Sequence, residues 1–178
     1  IENDFLPVLA DIPTETARQA KAFYLNYPNN PTGATATKKF LMELVEFCKH
    51  WDIAVCYDNP YSEIVFEGER LSFLSVPGAK EVGVELNSLS KSFNMTGWRI
   101  GMACGNPDIV KGIATVKANT DSGIFNPIQY AGITALNNCD EFTQKMIQIY
   151  SQRRKKLLSA LEQLNWKIPA SKGTFYLW

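Results

Sequence analysis

The sequence predicts an α/β fold: a mostly parallel sheet with helices on both faces. Short runs of strand length recur, continuously apolar at residues 22–25 and 53–57 and strand-like at 82–87. Segments with apolar residues at helical spacing lie between and after them, and clusters of turn formers separate the two kinds. Strands that are apolar throughout are those of parallel sheets covered on both faces, and alternating helices supply the crossovers.

Each element follows in order. Residues 1–20 mix turn formers with Phe5, Leu6, Leu9 and Ile12, and read as loop and a short helix. Residues 22–25 form a buried strand that runs into Asn26-Tyr27-Pro28-Asn29-Asn30-Pro31-Thr32-Gly33, a dense turn signal. Thr37 can cap a helix to about residue 51, with Phe40, Leu41, Leu44, Val45 and Cys48 on one face. The strand at 53–57 ends at Asp58, 71–78 is irregular, and the strand at 82–87 delivers the chain to Ser88. Residues 99–104 read as a further strand. Asn106 then caps a helix with Pro107 in its first turn. A helix is expected over 127–137. A longer one, capped by Asp140, reaches about 164 with Phe142, Met146, Ile149, Leu157, Leu158 and Leu161 as its apolar side. Residues 166–178 resume strand character.

Bulk properties narrow the function. The 178 residues suffice for one substantial core, with 46% hydrophobic and 20% charged residues. Eighteen basic residues balance eighteen acidic ones, which gives no support to a nucleic-acid partner. No apolar run approaches the ~20 residues that span a bilayer. Cys48, Cys56, Cys104 and Cys139 form no CxxC pair and are expected to be buried, reduced thiols of a cytoplasmic protein. The chain opens on Ile1 and stops within a strand-like run, as expected of part of a longer polypeptide.

Ligands of open α/β sheets collect outside the carboxyl ends of the strands. Here Asn30 follows one strand, Asp58 ends another, and Ser88 and Lys91 follow a third. Lys91 has Ser88 three residues before it, Ser90 directly before it and Arg99 eight after. A nucleophilic lysine needs a lowered pKa, which neighbouring positive charge and desolvation supply. Arg99, Ser88 and Ser90 could hold a phosphate, Asp58 a protonated ring nitrogen, and Tyr61 with Asn30 a phenolic oxygen. Together they describe a site for pyridoxal 5′-phosphate. Singly, each has a plainer reading: Lys91 a solvated surface lysine, Asp58 and the Asn30 turn local caps, Arg99 a surface ion-pair partner, Tyr61 packing.

In this order the motifs resemble a known family. Ser88-Leu89-Ser90-Lys91 through Arg99-Ile100-Gly101 is similar to the cofactor-attachment motif of class I/II, fold type I aminotransferases. Asn30-Pro31-Thr32-Gly33 and Asp58-Asn59-Pro60-Tyr61 match the family's other two markers, and similarity runs down to Gly173-Thr174-Phe175. The stretches 26–34 and 94–102, with the early Phe5-Leu6-Pro7, most resemble LL-diaminopimelate aminotransferases and aspartate-aminotransferase-like enzymes.

The resemblance implies pyridoxal 5′-phosphate held as a Schiff base on Lys91 and ping-pong transfer of an amino group between an amino acid and a 2-oxo acid. It gives Asp58 the ring nitrogen, Tyr61 and Asn30 the ring oxygen, and Ser88 and Arg99 the phosphate, with Ser90 assisting. It implies a homodimer. It divides the chain into a cofactor-binding large domain over 1–165 and the opening of a smaller domain over 166–178. The rest of the phosphate loop is expected before Ile1 and the substrate-carboxylate arginine after Trp178. The 178 residues alone are therefore expected to have little or no transaminase activity. A fold type I lyase or synthase would use the same site, and an aminotransferase-like ligand-sensing domain would retain it without catalysis.

Overall fold

A computed structural model describes residues 2–178. Its centre is a four-stranded sheet in the order β1-β2-β3-β4. Strands β1 (Ala22–Asn26), β2 (Ala54–Asp58) and β3 (Gly83–Ser88) run parallel, in register from Ala22↔Ala54 and Val55↔Gly83. Strand β4 (Gly101–Gly105) is antiparallel to β3 and forms one edge. The sheet is thus mostly parallel, as the apolar runs predict.

Helix α1 (Thr14–Gln19) precedes β1, and α2 (Lys38–Trp51) is the first crossover. Thr37 caps α2 by accepting from the Phe40 N–H at 3.1 Å, and Asp52 closes it in the left-handed conformation. Phe40, Leu41, Leu44, Val45 and Cys48 are its buried face. They pack on Leu25, Val55 and Tyr57 from one side of the sheet, with Phe73 and Val76 closing the cluster. Burying each large apolar side chain there contributes about 1.5–3 kcal/mol. This layer holds β1 and β2 rigid, and with them the strand ends that carry Asn26 and Asp58.

The single-turn helices α3 (Ala79–Val82) and α4 (Leu89–Ser92) flank β3. Helices α5 (Pro107–Thr120), α6 (Asn126–Asn138) and α7 (Asp140–Gln163) follow β4. Asn106 caps α5 through its Oδ1, with Pro107 in the first turn. A second cluster joins Leu89, Met95 and Ala135, with Ile100, Met102 and Ala131 against it.

Four expectations are corrected. The strand placed at 99–104 begins only at Gly101, because Arg99 has φ 54°, a left-handed conformation that cannot extend a strand. Residues 166–178 form no strand: their ladder is the single bridge Val65↔Gly173, and Thr174 at φ 62° ends the extended run. Asp140 lies in the first turn of α7 rather than at its cap, and the helix buries Thr143, Met146 and Ile147 while Phe142, Ile149 and Leu157 stand about half exposed. All four thiols are free, but only Cys48 is buried, and Cys104, on the edge strand β4, is exposed.

Candidate active site

Asn26 and Asp58 are register partners at the carboxyl ends of β1 and β2, and Leu86 faces Asp58 from β3, two residues before Ser88. Three strand ends therefore open on one edge. After Asn26 the chain folds back on itself. The Asn29 side-chain oxygen accepts from the Thr32 N–H and hydroxyl at 3.1 and 2.7 Å, and the Gly33 N–H donates to the Asn29 carbonyl at 2.9 Å. Asparagine favours such turns because its short side chain mimics the backbone. The Tyr27–Pro28 and Asn30–Pro31 peptides are cis.

The carboxylate of Asp58 is half-buried. Its Oδ2 accepts from the Tyr24 hydroxyl at 2.8 Å and from Asn26 Nδ2 at 3.4 Å, and Oδ1 takes neither. The next residue, Asn59, is fully buried; its N–H donates to the Leu86 carbonyl at 2.8 Å and its Nδ2 to Glu85 Oε1 at 3.1 Å. Tyr61 is buried, with its hydroxyl 3.0 Å from that of Tyr176. Burial pushes the Tyr61 phenol above its ordinary range, while the Asn30 amide opposes it. Tyr61 is thus a neutral hydroxyl able to donate.

At the third strand end the Ser88 Oγ accepts from the Ser90 N–H at 3.2 Å, leaving its own hydrogen to donate. Lys91 is half-buried on α4, with Nζ 5.9 Å from the centre of the Phe175 ring. Ser90 is buried in the same turn, and its carbonyl accepts from the Thr96 hydroxyl at 3.0 Å. Arg99 is exposed and donates through NH1 to the Thr96 carbonyl of its own loop at 2.9 Å. A guanidinium carries five N–H donors, so this bond leaves four.

Of the residues singled out in the sequence, Asn30 and Asp58 both bear electrostatically on Tyr61. Ser88, Ser90 and Lys91 share one turn, and Arg99 lies on the loop that returns to β4. Sequence reasoning missed Tyr24, Tyr176 and Glu85, and took Asn26 only as a turn former. Glu85 left a signal, a carboxylate in an apolar strand; the two tyrosines left none. Among the described residues no group of three or more His, Cys, Asp or Glu side chains is gathered as a metal site, and no helix is long and apolar enough to cross a membrane.

The family model for aminotransferases of class I and II matches residues 1–178. The chain belongs to this family. It is 50% identical over 177 residues to an LL-diaminopimelate aminotransferase of Moorella thermoacetica, covering 99% of this chain and 45% of that protein. The identity is also 50% to one from Halothermothrix orenii, with 99% and 46% covered. The chain thus spans about half the length of the curated relatives it matches. Among solved structures, BacF of Bacillus subtilis superposes with a TM-score of 0.96 at 38% identity, over 99% of this chain and 45% of that one. An aromatic aminotransferase from Pyrococcus horikoshii gives 0.83 at 31%, over 90% and 44%. As an aminotransferase family member the chain has the fold type I arrangement its motifs led us to expect.

Proposed function

We propose that this chain supplies the cofactor-holding part of a pyridoxal 5′-phosphate-dependent aminotransferase, which moves an amino group between an amino acid and a 2-oxo acid. One observation carries the reading: the ends of three parallel strands bring Asn30, Asp58 with Tyr61, and Ser88 with Lys91 to a single edge of the sheet. The donor set fits the cofactor group by group. Lys91 offers an amine to its carbonyl carbon. Asp58 Oδ1 is left to accept from a protonated ring nitrogen. Tyr61 and Asn30 offer donors to the ring oxygen, and Ser88 and Arg99 retain N–H and O–H donors for the phosphate.

When bound, the cofactor supplies an electron sink for negative charge at the substrate α-carbon. Lys91 Nζ would be the attachment point and, as a free amine, would accept a proton from the substrate α-carbon. Asp58 keeps the ring nitrogen protonated by holding a negative charge beside it. Tyr61 and Asn30 would donate to the ring oxygen, while Ser88 and Arg99 would anchor the phosphate. Ser90 supports this end from within the same turn. Residues 1–165 form the cofactor-binding domain in this reading and 166–178 open a smaller one.

A homodimer completes the proposal. Val116 on α5, Phe125 between α5 and α6, and Tyr130 and Ile133 on α6 are more than half exposed, an apolar surface that a second copy would cover. Free thiols suit a cytoplasmic setting. The donor is drawn from the amino acids that relatives are named for, LL-diaminopimelate first. The test is borohydride reduction after adding pyridoxal phosphate, followed by peptide mapping, and then, in a protein of the relatives' full length that contains this chain, amino transfer from LL-diaminopimelate, aspartate, alanine and aromatic amino acids. The expected result is one cofactor adduct, on Lys91, absent in Lys91→Arg. Labelling spread over surface lysines would sink the proposal.

A further inference from the structure

We infer that Tyr176 is a positioning residue that holds the Tyr61 hydroxyl in place to donate toward the bound cofactor; the inference rests on the cofactor-binding reading above. The two hydroxyl oxygens are 3.0 Å apart, between residues 115 positions apart in sequence. A tyrosine hydroxyl has one hydrogen to donate and two lone pairs to accept. If Tyr176 donates to the Tyr61 oxygen, one of its lone pairs is occupied and its one hydrogen is left for a ligand. Without a ligand the pair can be oriented the other way, Tyr61 donating to Tyr176. An acceptor oxygen beside Tyr61 turns that hydrogen to itself, and Tyr176 donates in its place. Neighbouring hydrogen bonds polarise one another, so a Tyr61 that accepts from Tyr176 is a stronger donor.

Tyr176 is fixed for this task. The Gly173 N–H donates to the Gly33 carbonyl and the Thr174 N–H to the Ile64 carbonyl, both at 2.8 Å. Thr174 is fully buried, and its hydroxyl accepts from the Tyr176 N–H at 3.3 Å. The Tyr176 and Phe175 rings stand edge-on to the Tyr61 ring, with centres 5.9 and 5.5 Å away. The segment that carries Tyr176 is thereby stapled to the turn that carries Asn30, and Phe175 on the same segment faces Lys91. The Tyr176 hydroxyl thus loses little entropy on meeting Tyr61, because the chain around it is already ordered.

The test compares wild type with Tyr176→Phe, which keeps the ring and removes the hydroxyl. Carbon-13 NMR of ring-labelled tyrosine follows Tyr61 in the protein without cofactor. Tyr61 is expected to ionise at higher pH in the variant, because the hydroxyl that can donate to its phenolate is gone. With cofactor added, the pH at which the visible band of the lysine-bound cofactor changes is expected to rise by about half a pH unit, the equivalent of one modest hydrogen bond. The rise follows because a weakened donor at the ring oxygen leaves that oxygen freer to hold the proton of the lysine linkage. Tyr61→Phe should shift it further. Identical Tyr61 titrations in the two proteins would overturn the pairing. An unshifted band with the Lys91 adduct intact would overturn its role toward the cofactor. Absence of the Lys91 adduct in wild type would instead overturn the functional reading on which the inference rests.

Discussion

The side-chain amide of Asn26 ties Asp58 to the turn that carries Asn30. Its Nδ2 donates to the Asp58 carbonyl at 2.9 Å, and its Oδ1 accepts from the Asn30 N–H at 2.9 Å. One amide thus spans two strand ends and fixes the spacing between a carboxylate and an amide of the site.

That relationship makes Asn26→Asp informative. The variant keeps an oxygen for the Asn30 N–H but faces the Asp58 carbonyl with a second oxygen where a donor stood. It also sets a like charge near the Asp58 carboxylate, whose Oδ2 is 3.4 Å from Nδ2 in the native protein. Losing a hydrogen bond and gaining repulsion costs about 1–3 kcal/mol. Pyridoxal phosphate affinity, followed by fluorescence quenching, should fall about tenfold or more. Unchanged affinity would mean that Asn26 merely decorates the edge.

Much of this arrangement was legible in the sequence, for identifiable reasons. Leu25, Val55, Tyr57 and Val84 sit in apolar runs because parallel strands are buried, and burial leaves a composition signal. The turn at Asn29 was legible because its bonds are local, three residues apart. The direction of β4 was not, since an apolar run has no arrow. Nor was the pairing of Tyr61 with Tyr176 or of Asn59 with Glu85, whose partners lie 115 and 26 positions apart and meet only through the fold. The segment after Trp166 misled because aromatic, strand-like composition is also what packs over a site as a loop.

Gly33 should resist replacement for two separable reasons. It adopts φ 70°, and an added Cβ would lie 2.4 Å from Ser171 Cβ and 2.9 Å from the Gly173 carbonyl oxygen. The left-handed conformation costs an alanine about 1–2 kcal/mol, and crowding adds about 1–3. Gly68, at φ 95° with nothing within 4 Å of its Cβ position, isolates the conformational part. Urea denaturation should therefore find Gly33→Ala clearly less stable than Gly68→Ala. Limited proteolysis should also cut Gly33→Ala faster after Lys172, where the segment detaches. Equal losses at the two glycines would show that Ser171 moves aside freely.

Glu85 is buried and meets four donors: Ser72 Oγ at 2.7 Å, Asn87 Nδ2 at 3.0 Å, Asn59 Nδ2 at 3.1 Å and the Leu74 N–H at 3.4 Å. These bonds tie β3 to the loop at 72–74 and to Asn59, which follows Asp58. Glu85→Ala strands several donors and should cost about 3 kcal/mol or more, since each unsatisfied buried group costs about 1–3. Glu85→Gln keeps one acceptor but sets an amide against donors, and should cost less. Denaturation midpoints check the order; a Gln variant as unstable as Ala would point to the charge itself as the requirement.

Cys48 gives the chain an alkaline weakness. It lies in the core on α2, and burial pushes its thiol up to about 12 from an ordinary value near 9. Between those two pH values the unfolded chain releases a proton that the folded chain retains. Stability therefore falls as pH rises through this window, by at most about 1.4 kcal/mol per pH unit from this one group, and is unaffected by it below pH 9. The raised phenols of Tyr57 and Tyr61 contribute in the same sense, so the measurement must be a difference. Urea denaturation of wild type and Cys48→Ala at pH 8, 9, 10 and 11 isolates it: the variant is less stable at pH 8 but should lose less with each alkaline step. Thiol labelling supplies an independent check. Exposed Cys104 should react first, and Cys48 only on unfolding. Parallel pH slopes in the two proteins, or rapid native labelling of Cys48, would show that this thiol is not held neutral by the core.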